Sequence, residues 1–307
     1  MTVLVTGALG VIGQRLSHKL RESGYDTVQS DVRILKQDTY RRGDITQYVE
    51  MDRIFKEFKV EHVFHLAGEV GRVNGEEFPR RAVDINVSGT INLAQLCLEH
   101  NARLYFASTS EVYSGLPGHE RLTEDLVQQH GFIPTNVYGI SKLHAEHYLD
   151  HFNKAFGLKA MSFRFFMCYG EGEYPNPYRS AMTNFIHSAL TGKPLNVHRG
   201  TARSWCYIDD IVGGCIAAME RAPFKQYEAY NIGRDDLRPT EDVAELIIEL
   251  TGASKSQIVY STPDRLVYPV KDASFDKAKR ELQWEATIPL EEGIKRTIAW
   301  QKKELHL

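Results

Sequence analysis

A doubly wound α/β fold, with a parallel sheet and ligands at the carboxyl ends of its strands, is what this sequence predicts. Three observations carry it. The apolar run Val3-Leu4-Val5 leads at once into Gly7-Ala8-Leu9-Gly10-Val11-Ile12-Gly13, and Leu16 and Leu20 follow at helical spacing. Strand and helix patterns then alternate through the first half of the chain. Two later strands run directly into small or hydroxyl residues, as backbone near a ligand requires: His62 to Leu66 into Ala67-Gly68, and Arg103 to Ala107 into Ser108-Thr109-Ser110.

A buried strand, a glycine turn and a helix start, in that order, make an anion site. Without a Cβ, the backbone of Gly7, Gly10 and Gly13 can turn tightly and approach a pyrophosphate. The N–H groups and positive dipole end of the helix, around Val11 and Ile12, then face the phosphates. Gly24 ends this helix, and Thr27 to Ser30 reads as the second strand, closing at Asp31. A carboxylate there suits the two ribose hydroxyls of an adenosine and repels a 2′-phosphate, so NAD is expected over NADP. Arg33 is the one nearby cation that would argue the other way. Asp44-Ile45 is placed to meet the adenine. Met51 to Phe58, Ala82 to Leu98 and Tyr138 to Phe156 read as helices, and Ser114 to Thr135 as a loop rich in Gly, Pro and charge.

Composition excludes several function classes. The chain has 307 residues, a net charge of -3 and Lys/Arg spread along its length, which is no footprint for nucleic acid. No apolar run approaches a membrane span. Cys97, Cys168, Cys206 and Cys215 lack metal-type spacing and read as reduced thiols of a cytoplasmic protein. His144, His147 and His151 lie on one helix, but on the side away from Tyr138 and Lys142. With no further ligands in view they read as a polar or partner-facing stripe, and no metal is expected.

Tyr138 and Lys142 are four apart and share a helix face. An ammonium beside a phenol favours phenolate, so Tyr138 is expected to have a lowered pKa and to serve as a general base. Glu111 is two residues after Thr109, and alternation along a strand would put both on one side.

With the glycine turn, the hydroxyl cluster and this pair in place, the chain resembles the extended short-chain dehydrogenase/reductase family, and within it the NAD-dependent nucleotide-sugar epimerases and dehydratases. The resemblance runs through His65-Leu66-Ala67, Asn86-Val87-Ser88-Gly89-Thr90, Ser108-Thr109-Ser110-Glu111-Val112-Tyr113, Arg164-Phe165-Phe166, Arg203-Ser204-Trp205 and Asn231-Ile232-Gly233 to Trp300. It implies a Rossmann-type sheet with a smaller C-terminal substrate-binding lobe. The expected division is 1–166 plus about 206–233 for NAD, and about 167–205 plus 234–307 for a nucleotide-diphosphate sugar. It implies further cofactor contacts at Leu66, Ala67, Gly68, Asn86 and Ser108, and substrate contacts at Glu69, Arg72, Ser110, Asn184, Arg203 and Arg265. Thr109 would bind the sugar hydroxyl that is oxidised, Tyr138 would take its proton, and Lys142 would hold the nicotinamide ribose. A homodimer built on the helices at 82–98 and 138–156 is also implied.

This chain departs from the family at Met167, where many relatives have Asn, and at Gly68, Ser114, His198-Arg199-Gly200 and the loop Glu69 to Phe78. Near Asp272, where an Arg often serves the nucleotide, only Arg265 and Lys271 are available. Three reactions share a 4-keto sugar: epimerisation, 4,6-dehydration and decarboxylation, the last two using Glu111. Chain length looks more like epimerases and decarboxylases than like dehydratases, and the reading leans to the 4-epimerase. A non-catalytic dinucleotide-binding regulator is the remote alternative, and the intact Thr109, Tyr138 and Lys142 argue against it.

Overall fold

The structure is a computed structural model that describes residues 1–307 apart from 117–120, 223, 225, 255–256 and 264–266. The first half alternates as the hydrophobic pattern requires. Its elements are β1 (Thr2–Thr6), α1 (Val11–Glu22), β2 (Asp26–Asp31), β3 (Tyr40–Arg42), α2 (Tyr48–Phe58), β4 (His62–His65), α3 (Arg72–Glu77), α4 (Pro79–Val83), α5 (Gly89–Glu99), β5 (Arg103–Thr109), α6 (Leu126–Gln129), α7 (Val137–Phe156) and β6 (Ala160–Phe165). The second half holds β7 (Cys168–Tyr169), α8 (Ala181–Thr191), β8 (Leu195–His198), β9 (Ala202–Ser204), β10 (Cys206–Tyr207), α9 (Ile208–Arg221), β11 (Glu228–Ile232), β12 (Leu237–Pro239), α10 (Thr240–Thr251), β13 (Ile258–Ser261), β14 (Val270–Lys271), α11 (Asp276–Leu282) and α12 (Leu290–Glu304).

Seven strands form the central sheet in the order β11-β6-β5-β4-β1-β2-β3, and every pairing in it is parallel. A parallel sheet must be covered on both faces, and the alternation of side chains along each strand supplies two cores. Val3, Val5, Phe64 and Phe163 belong to one; Leu4, Val63, Leu104 and Phe106 belong to the other. The strand order reverses between β1 and β4, so the crevice for a ligand opens at their carboxyl ends. The smaller sheets β12-β9-β14, β8-β13 and β7-β10 lie beyond β6 in sequence.

Two expected elements differ. The helix at 82–98 is broken: α4 and α5 are joined by a π-helical turn over Asp84–Ser88. A π turn adds a residue without changing hydrophobic periodicity much, so the pattern hid it. The strand before Glu111 ends at Thr109, and Ser110–Tyr113 is a 3₁₀ turn. The alternation argument for Thr109 and Glu111 therefore does not hold. What places Glu111 beside Thr109 is the turn itself, in which the Glu111 N–H donates to Thr109 Oγ1 at 3.2 Å.

Candidate active site

A cleft of about 2140 Å³ runs across the carboxyl edge of the sheet. That is larger than a pocket for one small ligand and matches room for two extended ones. It is lined by all the residues expected from sequence except Asn86 and Arg265. Arg265 lies outside the described residues.

At one end stands the glycine turn. Gly7 has φ +66°, and a Cβ there would lie 2.6 Å from the Ala67 backbone nitrogen. A Cβ on Gly13 would lie 2.8 Å from the Ala8 Cα. Only glycine lets the turn close onto β4 and α1 this tightly. No side chain caps the start of α1, and its first turn carries no acidic residue, so its N–H groups are available to an anion. Asp31 Oδ2 accepts from the Leu9 N–H at 3.0 Å, tying the end of β2 to the turn. Arg33 is occupied: its Nε lies 3.2 Å from Asp31 Oδ1. The turn, the uncapped helix and the carboxylate at the end of β2 fit a dinucleotide.

Asn86 does not reach the cleft. It is fully buried within the π turn, and its amide is spent on Glu69 N and O and on Ser141 Oγ, at 2.9–3.0 Å. It pins the wall segment carrying Ala67 to Glu69 onto α7. Gly68 sits inside that corner, where a Cβ would lie 2.9 Å from Asn86 Oδ1 and 3.0 Å from Lys142 Nζ.

Asn136 caps α7: its Oδ1 accepts from the Gly139 N–H at 2.8 Å. The cap starts the helix that presents Tyr138 and Lys142, both buried, to the cleft. His144, His147 and His151 are exposed on the opposite side. The expected lowering of the Tyr138 pKa is not found. Burial pushes the phenol up to about 12, Thr109 opposes the shift by a hydrogen bond, and Glu111 adds to it. Lys142 does not offset this, because burial lowers its own ammonium to about 7, against the attraction of Glu146. Lys142 Nζ lies over the Phe106 ring, 4.6 Å from its centroid. One turn along, Glu146 forms a buried ion pair with Arg164 at 2.7 Å and accepts from Ser108 Oγ. Sequence reading missed this pair, although Lys142 and Glu146 stand at helical spacing.

At the other end, Glu111 faces cations. Lys271 Nζ is paired with its Oε1, and Asn136 Nδ2 donates to its Oε2 at 3.0 Å. Lys271 also donates to Ser110 Oγ at 3.3 Å. In the small sheet Lys271 is in register with Arg203. Burial lowers Lys271 to about 8 and Arg203 to about 10; in both, the Glu111 charge opposes the shift. Burial alone would raise the Glu111 carboxyl, but Lys271, Arg72 and Asn136 hold it below its usual range. Sequence offered Lys271, near Asp272, as a candidate to serve the nucleotide and did not pair it with Glu111. Its partner is 160 residues away, so no local pattern could have paired them. Asn184 lines the cleft but spends its amide on Asn176 and Arg179 carbonyls. Glu69 is paired with Arg81 at 2.6 Å. Met167 lies in the cleft wall with φ +36°, a region that suits Asn better than Met.

Fold and cleft together define a dinucleotide-dependent enzyme of the α/β class. A family model, the NAD dependent epimerase/dehydratase family, matches residues 3–233, and the chain belongs to that family. It is thus an NAD-dependent enzyme. A UDP-glucuronate 4-epimerase of Thermodesulfobacterium geofontis is 31% identical over 327 residues, covering 99% of this chain and 97% of that one. The crystal structure of a UDP-glucose 4-epimerase with UDP-glucose from Thermotoga maritima superposes with a TM-score of 0.91 at 28% identity, over 99% of this chain and 100% of that one. A UDP-glucuronic acid 4-epimerase from Bacillus cereus, in complex with UDP-glucuronic acid and NAD, gives 0.88 at 25% identity, over 99% and 100%. Proteins named as a decarboxylase and a dehydratase are also among the similar ones.

Proposed function

We propose that this enzyme is a 4-epimerase of a UDP-linked hexuronate, with UDP-glucuronate as the substrate to try first. The observation that carries the reading is the charge at the far end of the cleft. Arg72, Arg203 and Lys271 all act on the single carboxylate of Glu111. Of these, Arg72 and Arg203 line the cleft itself, and guanidinium forks suit a ligand with a diphosphate and a further carboxylate. The similarity to enzymes named for UDP-glucuronate supports the same choice.

NAD, when bound, supplies reversible uptake of hydride at the sugar's C4. The chain's own residues do the rest. Gly7 to Gly13 and the start of α1 would hold the pyrophosphate, and Asp31 the adenosine ribose. Thr109 would bind the C4 hydroxyl, and Tyr138 would take its proton, helped by the positive nicotinamide that offsets burial. Lys142 would hold the nicotinamide ribose, and Arg203 the diphosphate. The residues of the second half, 167–205 and 234–307, would form most of the substrate side. A homodimer across α5 and α7 is proposed on the family's pattern.

Decarboxylation is the second reading, because Glu111 stands in the cleft where that reaction would use it. Incubation with UDP-glucuronate and NAD, followed by NMR and mass measurement, separates them. The expected product has unchanged mass and inverted C4. A product lighter by carbon dioxide or water overturns the epimerase reading.

A further inference from the structure

Lys271 has no obvious reason to be where it is. It is 1% exposed, on a two-residue strand, with its ammonium aimed between Ser110 and Glu111. A buried ammonium is tolerated only when paired and hydrogen-bonded. The cleft itself is not lined by Lys271, so its effect on a substrate passes through Glu111. Glu111 in turn is close to the reacting end: its N–H donates to Thr109 Oγ1, and its charge reaches the Tyr138 phenol. A sugar whose O4 lies at Thr109 and Tyr138 has C5 one bond from C4.

The 4-keto stage of such a reaction is hazardous. A carbonyl at C4 acidifies the C5–H bond. A free carboxylate at Glu111 could accept that proton while the C–H electron pair moves into the carbonyl as an enolate. Return of a solvent proton to C5 would complete an exchange with no net redox change. Glu111 is not free in this sense. One oxygen is held by Lys271 and the other by Asn136. A carboxylate so stabilised is a weak base.

We propose that Lys271 is a positioning residue that decides the reaction's outcome, by clamping Glu111 so that it orients the substrate instead of removing the C5 proton. The proposal rests on the epimerase reading above. It explains how an enzyme with a carboxylate at this place can carry out inversion at C4 without side reactions at C5.

The test runs native enzyme, Lys271→Met and Lys271→Arg on UDP-glucuronate with NAD in heavy water, following deuterium at C5 by NMR and mass. Native enzyme and Lys271→Arg are expected to give C4-inverted sugar that keeps its C5 proton. Lys271→Met is expected to raise C5 deuterium per turnover by about tenfold or more, as a released base would. The double variant Lys271→Met with Glu111→Gln is expected to lose that gain, which a merely structural role for Lys271 would not produce. If Lys271→Met does not fold, Lys271→Gln, which keeps a donor but no charge, makes the same comparison. The proposal is overturned if removing the charge slows turnover without added C5 deuterium, or if the gain survives Glu111→Gln. Failure of the native enzyme to invert C4 shows in the first sample alone and defeats the epimerase reading itself.

Discussion

Lys142 sits where a charge is costly, and this makes its energetic role measurable apart from catalysis. Burial takes its ammonium from an ordinary 10.5 to about 7. Between these values the unfolded chain holds a proton on this amine that the folded chain gives up. Stability therefore rises with pH across that window, and the penalty is fully present below it. Lys142→Met removes the penalty at little change in volume. It is expected to stabilise the cofactor-free protein by roughly 1–4 kcal/mol near neutral pH. The gain should shrink as pH approaches about 10, because the amine of the unfolded chain then loses its proton too. Denaturant melts at the two pH values check this, and a gain that grows with pH would contradict it. Single residues of this kind were legible in sequence by identity but not by state. Tyr138 and Lys142 were found from their spacing, while the direction of their pKa shifts depended on burial, which spacing does not report.

At the scale of elements, α7 organises the chemistry from its inner face. Asn136 caps it, Tyr138 and Lys142 face the cleft, and Glu146 reaches behind β5 to Arg164. Both side chains of that pair are almost wholly buried, at 2% and 4% exposure. Arg164 also donates to Tyr113 Oη at 2.8 Å and to the Glu124 carbonyl at 3.0 Å. Glu146→Gln would leave this guanidinium buried without its counter-charge. The expected cost is about 3–5 kcal/mol, read from urea unfolding. A loss within about 0.5 kcal/mol, the usual size for a surface change, would mean that the network re-forms around the amide. The sequence shows α7 and its length well, because its apolar positions recur over five turns. It conceals the π turn at Asp84–Ser88 and the 3₁₀ turn at Ser110–Tyr113, since each is too short to carry a period. Both turns set site geometry: one buries Asn86, the other brings Glu111 back toward Thr109.

For the whole molecule, a doubly wound parallel sheet was legible from the alternation of strand and helix patterns, and the central sheet observed is of that kind. What joins the two ends of the chain was not, because Lys271 meets Glu111 through β9 and β14, whose few residues carry no pattern. The outer side of α5 and α7 carries exposed residues. These helices pack on each other, and α7 exposes His144, His147, Tyr148 and His151 along one stripe. Tyr148 is 45% exposed, and Val83 at the end of α4 is 48% exposed. A twofold contact across such a face is self-complementary, so a residue near its axis meets its own copy. Tyr148→Asp would then bring two carboxylates together and remove two aromatic anchors, a change that repels the partner without touching the cleft. Light scattering is expected to give about twice the chain mass of 35.0 kDa for the parent and the chain mass for Tyr148→Asp. NAD binding by calorimetry should be equal in the two, since Tyr148 does not line the cleft that holds the glycine turn and Asp31. A parent protein that scatters as a monomer removes the dimer from the proposal. A variant that stays dimeric moves the contact off this stripe.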